Sequence, residues 1–292
     1  MAPRNSQAGF SLMELIVVVV LLGLLAGGAG MLIVNPIEAY DDQVRRQRLV
    51  DQGEMALRQI ARDVRRALPN SVRVIGVGSG AAVELVPTID GARYRDEIGG
   101  EFTTADDTLE FGGPDTRFNL LGFLNTFSAP ATLTGLRLVI YNTTSTPTAG
   151  IYADAAADLN SGIVTSSTTM LNLDDEMPIT EVEHRITMTP AFRFTQQSPG
   201  QRVFVIDEPV SYVCNPLTGS IVRHSGYGFN AAQPAAPGGS DVATVASQLS
   251  GCNMSYSGGT SQRGGILTIG ITIADGGEAI NLLHQVHVVN VP

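Results

Sequence analysis

Twenty consecutive uncharged residues, Leu15 to Val34, stand near the start of the chain behind a lone carboxylate, Glu14. At about 1.5 Å of rise per residue, such a run makes roughly 30 Å of helix, the thickness of one bilayer core. A secretory signal is cut after its apolar run and discarded. Here the small residue suited to cleavage, Gly9, lies before Phe10 and before the run. Cleavage at that point keeps the apolar helix in the mature chain and leaves Glu14 close to the new N-terminus.

Glu14 needs a physical reason to exist. A charged side chain in hydrocarbon costs roughly 2.5–3.5 kcal/mol on insertion scales, so such residues usually have a partner. A chain starting at Phe10 carries a cationic amine one helical turn from Glu14. The partner is either the chain's own amine or that of a neighbouring chain. A carboxylate lying in the headgroup region is the plainer alternative.

Gly9, Phe10, Ser11, Leu12 and Glu14, with the apolar run behind them, form a G-F-[ST]-L-x-E-[LM] pattern. It resembles the class III prepilin leader of type IV pilins and type II secretion pseudopilins. The resemblance implies that a membrane aspartyl peptidase cuts after Gly9 and then methylates the amine of Phe10. It implies that Glu14 meets the amine of a neighbouring subunit in a filament, where low dielectric strengthens the attraction. Tip-initiating pseudopilins often lack this glutamate, so its presence implies a subunit that can have another above it.

Charge separates the rest of the chain. The net charge is −10, and all eighteen basic residues are arginine. Residues 41–73 hold eight Arg and five acids, whereas residues 74–292 hold nine Arg and twenty-one acids. An acidic body argues against nucleic acid as the main ligand, because such binding rests on phosphate neutralisation. Arg4, with no acid before Gly9, suits a cytoplasmic N-terminus under the positive-inside rule. The body is then expected in the periplasm, an oxidising space. There the two cysteines, Cys214 and Cys252, read as a disulfide rather than two buried thiols. The stretch between them, rich in Ala, Gly, Pro and Ser, needs such a staple.

From Ile37 to Leu68 apolar residues recur at three/four spacing among seven arginines, the mark of an amphipathic helix. Pro69-Asn70 ends it. One helix from about Phe10 to Leu68 is therefore expected, weakened around Gly23, Gly27, Gly28, Gly30 and Pro36. Beyond it, β-branched or alternating runs predict strands at 72–77, 82–86, 108–111, 135–141, 202–207, 210–214, 220–224, 266–274 and 279–291. Asp275-Gly276-Gly277 reads as a hairpin turn. Long loops are expected at 87–107, 142–170 and 226–262. Strands in runs after one long helix give an α+β class, a long N-terminal transmembrane and amphipathic helix packed on a largely antiparallel sheet body. The expected division is a cleaved leader 1–9, a membrane or filament-core helix 10–36, its amphipathic half 37–70 and a β-rich body 71–292.

The C-terminal LLHQVHVVNVP, the SYVC stretch at 211–214 and LPNSVRV at 68–74 look like the large minor prepilins. They most resemble the MSHA (mannose-sensitive haemagglutinin) biogenesis group of MshO type, related to PilW-type minor pilins and J-type pseudopilins. The resemblance implies a low-abundance subunit that helps prime or cap a pilus. Its implied partners are other minor and major pilins through the N-terminal helix, the prepilin peptidase/methyltransferase, the inner membrane, a platform protein and a cytoplasmic ATPase. The alternatives are a J-type pseudopilin of a type II secretion system, or a tip-located adhesive module using the Thr/Ser/Asn-rich 142–170 segment.

Catalytic signals are thin, and neither an enzyme nor a cofactor is expected. His284 and His287 lie three apart on a strand, hence on opposite faces. Asp174, Asp175 and Glu176, with Asp154 and Asp158, have the chemistry of a Ca²⁺ site but no D-x-D-x-D-G spacing, and an acidic solvated loop is the plainer reading. Gly76 to Gly80 lacks a phosphate-loop context and reads as a turn.

Overall fold

The computed structural model describes residues 9–104, 108–157, 162–259 and 264–292, with the backbone alone described over 30–39. It divides into two compact units between Val50 and Asp51. Helix α1 (Leu12–Arg65) begins in the first unit and ends in the second.

In the first unit the helix starts at a cap. The Ser11 hydroxyl accepts from the Glu14 amide at 3.3 Å, and the Ser11 carbonyl accepts from the Glu14 and Leu15 amides. A serine oxygen satisfies a first-turn donor that has no partner inside the helix. Leu12–Ala29 is long and apolar enough to cross a membrane, and its side chains are exposed. The helical backbone continues without a break through Gly23, Gly27, Gly28, Gly30 and Pro36.

The second unit holds the rest of the chain. In sequence order its elements are β1 (Arg73–Val77), β2 (Gly80–Leu85), β3 (Thr88–Arg93), β4 (Asp115–Asn119), β5 (Ala131–Thr132) and β6 (Arg137–Val139). A short helix, α2 (Ile151–Ala157), leads to β7 (Met170–Glu176), β8 (Glu183–Phe192) and β9 (Arg202–Ile206). Then come β10 (Val210–Asn215), β11 (Ser220–Ser225), β12 (Asp241–Ala246), β13 (Leu249–Ser257), β14 (Gly265–Asp275) and β15 (Glu278–Val288). They form four antiparallel sheets, ordered β1-β2-β10-β11-β12, β13-β14-β15, β3-β9-β6 and β4-β8-β7-β5. The class is α+β: an N-terminal apolar helix followed by an antiparallel β body.

Burial explains the end of α1. Ala56, Leu57, Ile60, Ala61 and Val64 are buried at the three/four spacing that gives a helix one apolar face. Asp63, beside that face, accepts from the Tyr212 hydroxyl at 2.6 Å and from Arg223 at 3.4 Å, joining helix to β10 and β11. Gly53 sits so close to Leu282 of β15 that a Cβ there would clash with it. The helix stops before Pro69, and Asn70 takes a left-handed backbone (φ 58°) that turns the chain toward β1. A second core joins β4, β7, β8 and β9 around Phe118, Leu120, Leu173, Ile186, Phe194 and Val205.

Several loop expectations are corrected. The 87–107 stretch contains β3, the 142–170 stretch contains α2, and the 226–262 stretch contains β12 and β13. Strands β4, β5, β7 and β8 were not expected, and 108–111 is not a strand. The Asp275-Gly276-Gly277 turn does join β14 to β15, with Asp275 opposite Glu278 and both glycines at positive φ. Gly76 to Gly80 likewise holds the tight turn from β1 to β2, with Gly78 at φ 56°.

Candidate functional site: the N-terminal segment

Gly9 and Phe10 precede the first helical turn, and the Phe10 side chain is 79% exposed. An exposed stretch outside regular structure is where a peptide bond is accessible to a protease. Glu14 lies in the first turn of α1 and is exposed. An acidic group there complements the positive end of the helix dipole, typically by 0.3–1 kcal/mol. The Glu14 carboxylate makes no ion pair among the described residues, so its charge is open to a partner. Ser11 is the residue of this segment whose role sequence reasoning missed. Its signal was present, since Ser11 and Glu14 have the S-x-x-E spacing of a capping box.

The cysteines come together in the second unit, where Cys214 of β10 is bonded to Cys252 of β13 across a separation of 38 residues. The bond ties the five-stranded sheet to the three-stranded one. On the opposite face of the five-stranded sheet lies a buried ion pair, with Arg73 Nε donating to Glu84 Oε2 at 2.5 Å. Arg73 also donates to the carbonyls of Asn230 and Ala231 and stands 3.5 Å over the Tyr152 ring. The Tyr227 hydroxyl donates to the other Glu84 oxygen at 2.7 Å. Burial raises the Glu84 pKa while Arg73 opposes the rise. Burial and the neighbouring Glu84 both push the Tyr227 hydroxyl up, so it stays a donor. This cluster anchors the segment after β11 and is fully occupied in doing so.

The acidic group at 174–176 is not a loop. It lies on β7, where Glu176 pairs with Arg185 at 2.7 Å and Asp175 faces His184 at 3.4 Å. Glu176 and Asp175 therefore already have cross-strand partners, the Arg185 guanidinium and the His184 ring. Asp154 is buried on α2, and Asp158 lies outside the described residues. Among the described residues, no group of three or more His, Cys, Asp or Glu is placed to hold a metal ion. His284 is partly buried and His287 is exposed on the alternating β15. A separate carboxylate, Glu101, is held by the Thr180 hydroxyl and by the amides of Ile179, Thr180 and Glu181. Those donors, the hydroxyl foremost, pull its pKa down to about 2.

No curated protein and no solved structure matches the chain. A family model does match its N-terminus: the prokaryotic N-terminal methylation motif covers residues 4–30, including Gly9, Phe10, Ser11 and Glu14. That motif, on a single N-terminal apolar helix followed by an antiparallel β body, supports a type IV pilin-like, prepilin-type chain.

Proposed function

We propose that this chain is a minor pilin or pseudopilin subunit, a structural component rather than an enzyme. The observation that carries the reading is the methylation motif at residues 4–30, which takes in the exposed apolar helical segment Leu12–Ala29. In this reading a prepilin peptidase removes residues 1–9 and methylates Phe10. Residues 10–36 anchor the subunit in the inner membrane and later in the filament core. Residues 37–70 carry the amphipathic half of the helix, and residues 71–292 are a periplasmic body. Glu14 then pairs with the N-terminal amine of a neighbouring subunit. The finer assignment is an MSHA-type pilus, in which the subunit helps to prime or cap assembly with other pilins and the membrane platform protein. Service in a type II secretion pseudopilus, in the J-type position, is the alternative.

Two variants test the reading in the native host. Gly9→Trp leaves a full-length precursor and no subunit in the filament. Glu14→Ala is processed normally but is depleted from sheared filaments. Normal processing of the first variant refutes the leader, and undiminished incorporation of the second refutes the charge contact.

A further inference from the structure

β15 is the outer strand of its three-stranded sheet, and its outward edge pairs with no described strand. It is eleven residues long and runs beside β14 in one unshifted register. Outer strands of natural sheets are normally kept from pairing by shortness, proline, a bulge, or charges along the edge. β15 has none of these devices. It contains no proline and no arginine, its single acid is Glu278 at the first position, and no bulge interrupts it. Its outer face shows Ala279, Asn281, Leu283, Gln285 and His287, with Leu283 73% exposed. An open edge of this length in an otherwise acidic body is a template for another strand.

We propose that this edge is a homotypic docking site, at which β15 of a second copy pairs antiparallel about a two-fold axis through Leu283. Leu283 is the midpoint of Glu278–Val288, so this register alone uses all eleven residues of both strands. It also matches side chains. On the exposed face Leu283 meets its own copy, Asn281 meets Gln285, and Ala279 meets His287. On the other face Leu282 meets His284 and Ile280 meets Val286, while Glu278 meets Val288. No charged group faces one of like sign. A register centred on His284 instead opposes two imidazoles. One centred on Leu282 sets Leu283 against Asn281 and leaves a strand end unpaired. Antiparallel pairing satisfies the main-chain donors and acceptors of both edges. An isologous contact of this kind closes at two copies. The proposal is independent of how the N-terminal segment is processed.

The test uses the full-length protein in detergent micelles under mild oxidation. Directly opposed residues in an antiparallel pair have Cα atoms about 4.5–5.5 Å apart, within disulfide reach. Leu283→Cys therefore gives a covalent dimer. Asn281→Cys alone does not, because the two copies of that residue are offset by four positions, about 13 Å. An equal mixture of Asn281→Cys and Gln285→Cys does cross-link. Leu283→Asp opposes two carboxylates, which destabilises the pair, and light scattering then shows loss of the non-covalent dimer. Peptide mapping checks that the Cys214–Cys252 bond is intact in every variant. A Leu283→Cys protein that stays monomeric with a titratable thiol overturns the proposal. So does equal cross-linking by Asn281→Cys.

Discussion

Glu101 shows how one exposed carboxylate shapes a segment. It accepts the Thr180 hydroxyl and three successive amides, so the 179–181 backbone is wrapped around its charge. Its folded-state pKa, about 2, lies below the ordinary value of 4.5. The stabilisation is therefore complete above the ordinary value and fades as pH falls toward about 2. The amide resonances of Ile179, Thr180 and Glu181 are expected to hold steady down to about pH 4 and shift together with a midpoint near 2. A midpoint at the ordinary carboxylate value contradicts this. Glu84 is the buried counterpart. Removing it strands the Arg73 guanidinium, and breaking a buried pair typically costs about 3–5 kcal/mol. Glu84→Ala is expected to lower the urea midpoint accordingly, while an exposed control such as Glu97→Ala leaves it nearly unchanged.

Among the elements, the β14–β15 hairpin was legible because its signals are local. Its residues alternate, and Asp275-Gly276-Gly277 supplies positive-φ glycines at the turn. β7 and β8 were illegible for the opposite reason. Asp174, Asp175 and Glu176 read as a solvated acidic run until Arg185 and His184 are placed across from them. Those partners lie only nine residues away, but the connection between the two strands carries no hairpin-turn signal that sets their register. β12 and β13 were hidden among small residues whose strand propensity is low. The staple between Cys214 and Cys252 closes that same poor segment. With 38 residues in the loop, the chain-entropy model assigns the bond about 4 kcal/mol. A Cys214→Ala/Cys252→Ala double variant is expected to lose roughly that much in denaturant titrations. A loss below about 1 kcal/mol contradicts a stabilising role of that size for the bond.

At the scale of the whole molecule, the N-terminal methylation motif was readable from sequence, since Gly9, Phe10, Ser11, Leu12, Glu14 and the apolar run behind them are neighbours in the chain and no tertiary contact is required. Ser11 was the exception, a cap recognised only once its hydroxyl was seen at the Glu14 amide. The body was readable as a class but not as a topology, because four sheets are assembled from strands distant in sequence, such as β2 beside β10. In the proposed function everything starts from removal of the first nine residues. Mass spectrometry of the N-terminal peptide, taken from protein purified from its native membrane, tests it most directly. The expected peptide begins at Phe10 and carries one added methyl group. A peptide that retains residues 1–9, or one that begins beyond Val34, contradicts it.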